Sequence, residues 1–100
     1  MNAKVLLSLE KSYIQLDWKD YISRIDISVE QMVKIVDLIE IFKKVKGTNE
    51  IVIFRFEGIP AYVTIKRNEY SAILDWINQR MLDFELFEHC KRITDLMKTL

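Results

Sequence analysis

The residue types best suited to metal binding or nucleophilic catalysis are the chain's single histidine and single cysteine. They are neighbours in the sequence, at His89 and Cys90. A structural zinc site takes about four such ligands, and a nucleophilic centre needs a thiolate, a base and an orienting acid. Neighbouring residues on a helix point about 100° apart, so this pair supplies neither arrangement. The sequence therefore predicts no metal site and no catalytic residues, with Cys90 packed in the core or in a helix seam.

Phosphate-binding loops need several glycines at fixed spacing, whereas this chain has only Gly47 and Gly58. The two glycines belong to different predicted turns, and neither stands in a Gly-Lys-Ser or Gly-x-Gly run. We expect no nucleotide cofactor and no small-molecule ligand.

Carboxylates and aromatic residues alternate in the N-terminal quarter of the chain. Paired carboxylates catalyse proton transfer only inside a cleft, and here we expect them along one solvated edge. If Trp18 and Tyr21 are exposed beside the acids, this edge could dock on a basic protein surface. The acidic edge consists of Asp17, Trp18, Asp20, Tyr21 and Asp26.

Basic residues gather after the first long helix and along the central hairpin. If they meet in space, they offer phosphate contacts and one aromatic stacking surface, the minimum for single-stranded nucleic acid. The formal net charge of zero argues against this use, as does the value of lysines at a helix C-terminus. The basic patch consists of Lys43, Lys44, Lys46, Arg55, Tyr62, Lys66 and Arg67.

Length and composition indicate one folded domain spanning residues 1–100, since 50% of the residues are hydrophobic and 30% are charged. The longest apolar run, residues 51–54, is too short for a membrane span or the core of a signal peptide. A single cysteine suits a reducing compartment. We expect no membrane association and a cytoplasmic location, or the cytoplasm of a host cell.

Alternating apolar residues predict three short N-terminal strands joined by turns, over residues 4–10, 13–18 and 21–27. Residues 51–66 are two β-rich runs around a four-residue turn, which predicts a hairpin. The predicted pairs on the core face of the hairpin are Phe56 with Ala61, Phe54 with Val63, and Val52 with Ile65. The predicted pairs on its outer, mixed face are Arg55 with Tyr62, Ile53 with Thr64, and Ile51 with Lys66.

Between these sheet segments lies a predicted helix. Ser28 and Gln31 match a capping box, and the helix is expected to run to about residue 45. Gly47 is the expected left-handed C-cap.

The C-terminal third is predicted to be helical, with Asn68 as the N-cap. Two out-of-phase apolar stripes favour a break near residues 82–85, giving two helices. The alternative is one helix over residues 69–100, which would project from the domain and need a partner along its apolar seam.

Together these elements predict an α+β fold. Its antiparallel sheet has about five strands, in the chain order β-β-β-α-β-β-α-α, and packs on one long helix. One long or two shorter C-terminal helices follow.

Apolar residues exceed what one small core can bury, and several fall off the helix stripes. Exposed aromatics are typical of interface centres. We therefore predict a small non-enzymatic protein-interaction module that self-associates through its C-terminal helices or binds another protein. The alternatives are a nucleic-acid-binding accessory factor and a phage or viral inhibitor that blocks a host protein by stoichiometric binding. The predicted interface consists of Trp76, Phe84, Leu86, Phe87, Cys90, Ile93, Met97 and Leu100.

Overall fold

The structure is a computed structural model that describes residues 14–24, 27–55, 58 and 60–100. The strand predicted over residues 4–10 lies outside the described residues, as does Phe56 of the predicted hairpin. The elements in chain order are strand β1 (Ile14–Asp17), helix α1 (Trp18–Arg24), helix α2 (Val29–Phe42), strands β2 (Glu50–Arg55) and β3 (Ala61–Lys66), a 3-10 turn (Arg67–Glu69), and helices α3 (Tyr70–Asp83) and α4 (Phe87–Met97).

These elements form two compact units, and each unit takes two separate stretches of the chain. The first unit contains the described part of Met1–Ile27 together with Gly47–Arg67, and so holds the strands and α1. The second contains Ser28–Lys46 and Asn68–Leu100, and so holds α2, α3 and α4. A single domain over residues 1–100 stays a prediction.

The α+β class is confirmed, but the five-stranded antiparallel sheet is wrong. Within the described residues the sheet has the strand order β1-β3-β2. Only β2 and β3 form an antiparallel pair, and β1 lies parallel to β3, with Ile14 opposite Ala61. The expected N-terminal meander fails because β1 is followed by a helix instead of a third strand.

Helix α1 occupies the segment predicted as a turn and the third strand. Asp17 begins it, since its Oδ1 accepts a hydrogen bond from the backbone N–H of Lys19 at 2.9 Å, a typical N-cap contact. Trp18 and Ile22, four residues apart, are both buried. This spacing places them on one helical face, and α1 packs against β1 and β3.

Strand β2 contains a bulge between Val52 and Phe54. A bulge places two residues of one strand opposite one of its partner, so the pairing on its two sides differs by one residue. On the turn side Phe54 lies opposite Val63, as predicted, and Arg55 opposite Tyr62. On the other side the predicted pairing is wrong by one residue. The observed pairs there are Glu50 with Lys66, Ile51 with Ile65, and Val52 with Thr64.

Strand β3 is the central strand, and its residues from Ala61 to Ile65 are all buried. The hairpin was expected to have one core face and one mixed face. Burial of five consecutive residues shows instead that both faces of β3 are covered, as in strands of fully enclosed sheets.

The predicted capping box of α2 is confirmed. The Ser28 hydroxyl accepts a hydrogen bond from the Gln31 backbone N–H at 3.1 Å, and the Gln31 side chain accepts one from the Ser28 N–H at 3.0 Å. Two amides at the helix start are thereby satisfied. The buried face of α2 consists of Met32, Ile35, Val36 and Ile39.

The predicted end of α2 is wrong. The helix ends at Phe42 with Lys43 as its C-cap, and the Val45 N–H bonds back to the Phe42 carbonyl at 3.1 Å in a tighter turn. Gly47 has a φ of +82°, but it lies four residues beyond the cap and therefore shapes the following turn.

The start of α3 also differs from the prediction. A 3-10 turn covers Asn68, and Glu69 occupies the N-cap without a side-chain capping bond.

The break between α3 and α4 is confirmed. The Leu86 N–H donates to the Met81 carbonyl at 2.9 Å, and the Glu85 N–H donates to the Leu82 carbonyl at 3.0 Å. This hydrogen-bond pattern is a Schellman motif, which places Glu85 in the left-handed region with a φ of +58°. The turn that joins the two helices contains no glycine.

Replacing Glu85 with glycine is expected to raise the free energy of unfolding by up to about 1 kcal/mol. The left-handed conformation costs a non-glycine residue about 1–2 kcal/mol, and the greater freedom of glycine in the unfolded chain offsets part of this gain. Urea denaturation measures the change. Glu85→Val is the matched control and should be less stable than the wild type. A loss of stability in Glu85→Gly would contradict the prediction.

Candidate functional site

The predicted C-terminal interface divides between core and surface. Cys90 and Ile93 are buried, so they belong to the core of the second unit. Trp76, Leu86 and Met97 are half-buried, and Phe84, Phe87 and Leu100 are exposed. The exposed members are the ones that a partner can reach.

Three exposed apolar residues follow one another around the turn between α3 and α4. Leu82, Phe84 and Phe87 expose 41%, 58% and 63% of their surface, and we call them the apolar corner. At about 3.8 Å per residue, the Cα atoms of Phe84 and Phe87 are separated by no more than about 11 Å. With about 200 Å² for a whole phenylalanine side chain, the corner presents roughly 300 Å² of apolar surface.

The local sequence explains why the corner is exposed. The core-facing stripe of α3 ends at the fully buried Met81, and Leu82 lies about 100° farther around the helix. Leu86 is half-buried and bonds back to Met81 through its N–H. Phe84 precedes Glu85 and Phe87 follows Leu86 in the sequence, and both phenylalanine side chains are exposed.

An aromatic–cation contact lies one turn before the corner. The guanidinium carbon of Arg80 is 4.8 Å from the centre of the Trp76 ring, within the range of a cation–π interaction. The Phe84 N–H still bonds to the Arg80 carbonyl at 3.1 Å, so Arg80 and Phe84 are one helical turn apart. Residues at this spacing are neighbours on a helix surface, which makes the Trp76 contact continuous with the corner.

Carboxylates surround the corner. Asp83, Glu85 and Glu88 are all exposed, and residues 82–88 contain no lysine or arginine. The segment therefore has three acidic residues and a formal negative charge. The corner is therefore an apolar surface with an acidic rim.

Sequence reasoning missed Leu82 as a member of this surface. The available signal was its position off the buried stripe of α3, the same signal that identified Phe84 and Phe87.

A charged groove lies between α2 and α4 within the second unit. The Arg92 guanidinium contacts the carboxylates of Asp37 at 2.6 Å and Glu40 at 3.4 Å. The hydrogen bond to Asp37 is the main reason that the pKa of Arg92 lies above its usual value. The groove is open, has a volume of about 480 Å³, and is lined by Glu40, Lys43, Glu88, Lys91, Arg92, Asp95, Leu96 and Thr99.

Acids and bases balance in this groove, with three of each among its lining residues. Such a surface gives no net attraction for a ligand of one sign. Its clearest role is to join helices, since Arg92 reaches α2 and the Lys43 ammonium donates to the Thr99 hydroxyl at 2.6 Å.

The stacking aromatic of the predicted basic patch lies inside the protein. Tyr62 is in the central strand and is 0% exposed. Burial raises the pKa of its hydroxyl, the nearby Glu50 carboxylate adds to the rise, and Arg55 opposes it. Tyr62 therefore offers no ring for a nucleic acid base.

The cations of the basic patch divide between the two units. Lys43, Lys44 and Lys46 belong to the second unit, while Arg55, Lys66 and Arg67 belong to the first. Arg67 is half-buried, and its guanidinium donates twice to the Thr48 carbonyl, at 2.9 and 3.1 Å. Its backbone N–H also donates to the Asn49 carbonyl at 2.8 Å. Arg67 thus holds the segment that leads into β2.

The acidic edge does not present its aromatics as predicted. Trp18 is only 4% exposed, and the half-buried Tyr21 ring lies 5.2 Å from the Phe54 ring. Asp20 is exposed, Asp17 caps α1, and Asp26 lies outside the described residues. The docking surface proposed for this edge required an exposed Trp18, which the structure does not provide.

His89 and Cys90 differ in their exposure to solvent. His89 is half-buried, and the buried Cys90 thiol lies 3.9 Å from the Asn78 carbonyl. Among the described residues no group of three or more His, Cys, Asp and Glu side chains could hold a metal ion. Each helix in the same ranges is too short or too polar to cross a bilayer.

Comparison with known proteins finds no matching family model, no similar curated protein and no similar solved structure.

Proposed function

We propose that this chain is a protein-interaction module that binds its partner through the apolar corner. The observation that carries the proposal is the exposure of more than half of both Phe84 and Phe87, at 58% and 63%, on either side of one turn. Exposed aromatics grouped in this way are enriched at the energetic centres of interfaces. An apolar patch of a few hundred Å² is often functional on a small protein.

The surroundings of the corner support this use. The Trp76–Arg80 contact adds two of the residue types enriched in interface hot spots, with Arg80 one turn and Trp76 two turns before Phe84. The backbone of the Schellman turn is held by two hydrogen bonds, from the N–H groups of Glu85 and Leu86. A rigid surface loses little conformational entropy on binding, which favours affinity.

The alternatives lack comparable support. A nucleic-acid-binding factor would need the Tyr62 ring, which is buried. A stoichiometric inhibitor is a use to which an interaction module could be put, and nothing in the described residues favours it over other protein binding.

A peptide library displayed on phage tests the proposal. The library is selected on the wild-type protein and counter-selected on the variant Phe84→Ser/Phe87→Ser. We expect enriched peptides that bind the wild type at least about 30-fold more tightly than the variant, since hot-spot truncations cost about 2 kcal/mol or more. Amide chemical shifts should change around residues 82–88.

The matched control is Ile41→Ser, which removes a residue that is 60% exposed elsewhere in the second unit. It should bind the peptides as the wild type does. The double variant should keep the wild-type circular dichroism spectrum, because both phenylalanines are on the surface. Failure to enrich any peptide that distinguishes the wild type from the double variant would overturn the proposed function.

A further inference from the structure

We infer that the corner is complementary to an apolar pocket rimmed by lysine or arginine side chains on another protein, and not to a second copy of this chain. This inference rests on the proposed function and specifies the partner of the same site. It follows from the charge, the area and the rigidity of the corner.

Three carboxylates form the rim of the corner. Asp83, Glu85 and Glu88 alternate with the apolar residues of the corner and are exposed. Within the described part of the chain, none of the three is held in an ion pair. Docking of the corner would bring these carboxylates to the edge of the contact. A basic rim on the partner would compensate their lost hydration, whereas an acidic rim would repel them.

Among the described residues, the cations nearest to the rim in sequence are Arg80 and Lys91. Arg80 lies against the Trp76 ring at 4.8 Å. Lys91, one turn after Glu88 on α4, lines the charged groove together with Glu88. Asp83 and Glu85 do not line that groove and are exposed, so their negative charge remains at the surface of the corner.

A second copy is a poor occupant for the same reason. A twofold dimer brings the same patch of both copies together. Each carboxylate of the rim would then face the rim of the other copy, with like charges around one small contact. The like charges would oppose the apolar attraction at the centre.

The area of the corner points the same way. A stable interface between two proteins buries about 800 Å² on each partner, and the corner presents roughly 300 Å². Contact between two corners would bury no more than this area on each copy. A small, rigid, aromatic projection gains most from insertion into a concave pocket, where the phenylalanine rings are covered on several sides.

Two synthetic helical peptides test the inference. Both carry leucine on one face, and the remaining positions are lysine in one peptide and glutamate in the other. We expect the leucine–lysine peptide to bind the corner at least about ten-fold more tightly, with an affinity that falls as salt is added. Fluorescence anisotropy measures affinity, and amide shifts of residues 82–88 locate the contact.

Two charge variants separate a local effect from net charge. Neutralising the rim with Asp83→Asn, Glu85→Gln and Glu88→Gln should bring the affinities of the two peptides together. Removing the same charge elsewhere should preserve the preference, and the control substitutions for this are Glu30→Gln, Asp75→Asn and Asp95→Asn.

The outcomes distinguish this inference from the proposed function. Equal binding of both peptides at the corner, or a corner-mediated dimer in sedimentation equilibrium, overturns the inference and leaves a protein-binding corner in place. Failure of the phage selection to enrich any peptide that contacts residues 82–88 overturns both. If a phage-selected peptide contacts residues 82–88 but neither helical peptide does, the inference alone is overturned.

Discussion

Trp18→Ala is expected to lower the free energy of unfolding by about 3–5 kcal/mol, a large share of the 5–15 kcal/mol typical of a folded domain. Trp18 is 4% exposed and packs with Ile22 on the face of α1 that meets the sheet. Its removal deletes the largest side chain of this contact and leaves a cavity that a short helix cannot fill. Urea denaturation followed by far-ultraviolet circular dichroism measures the loss.

Trp76→Ala is the matched control, because Trp76 is half-buried and lies on the outer side of α3. It should cost clearly less than Trp18→Ala. A Trp18→Ala change below about 0.5 kcal/mol, the usual size for an exposed position, would mean that Trp18 lies on the surface as a strand residue of the acidic edge.

Ile77→Ala is expected to destabilise the protein by about 2–5 kcal/mol. Ile77 is fully buried in the middle of α3, which contacts both α2 and α4. Alanine favours helix slightly more than isoleucine, and this gain of a few tenths of a kcal/mol does not offset the lost burial. The midpoint of urea denaturation should fall without a change in slope.

Gln79→Ala is the control for this substitution, since Gln79 is exposed on the same helix. It should change stability by no more than about 0.5 kcal/mol in either direction. Similar losses in the two variants would contradict the placement of the α3 stripe in the core.

The elements that sequence analysis located correctly are those with local signals. The capping box of Ser28 and Gln31 needs only four residues to be recognised, and it begins α2 as expected. The break between α3 and α4 followed from two apolar stripes in different phases and from acidic residues after the first stripe. Both signals act within one or two helical turns, so no distant contact is needed to produce them.

The errors come from contacts between distant residues and from short segments. β1 pairs with β3 in parallel, so Ile14 lies opposite Ala61. No pattern near either residue in the sequence indicates this pairing. A seven-residue segment such as α1 fits either a helical or an alternating pattern. Asp17 was the available sign of a helix start, because aspartate is a preferred N-cap. No glycine in β2 indicates the bulge in the sequence. The predicted pairing is therefore wrong by one residue on one side of the bulge.

The candidate site was predicted in part, for an identifiable reason. Phe84 and Phe87 were chosen because they fall off the helix stripes, and they are exposed. Cys90 and Ile93 were chosen as a seam for a partner, but the stripe they form packs within the second unit. A residue on the stripe of an amphipathic helix is first a candidate for the chain's own core. Tyr62 was placed on an outer face because single-sequence patterns do not show which strand is central.

The exposed turn that contains Gly47 separates the chain into segments that each hold part of both units. Cleavage there would leave β1, α1 and α2 on one fragment and β2, β3, α3 and α4 on the other. Neither fragment could assemble the described sheet or the three-helix core alone. The fragments would regain both units only when they bind to each other. This turn is therefore a suitable position for splitting the protein into two fragments, each fused to a different protein, whose reassembly reports that the two fused proteins interact.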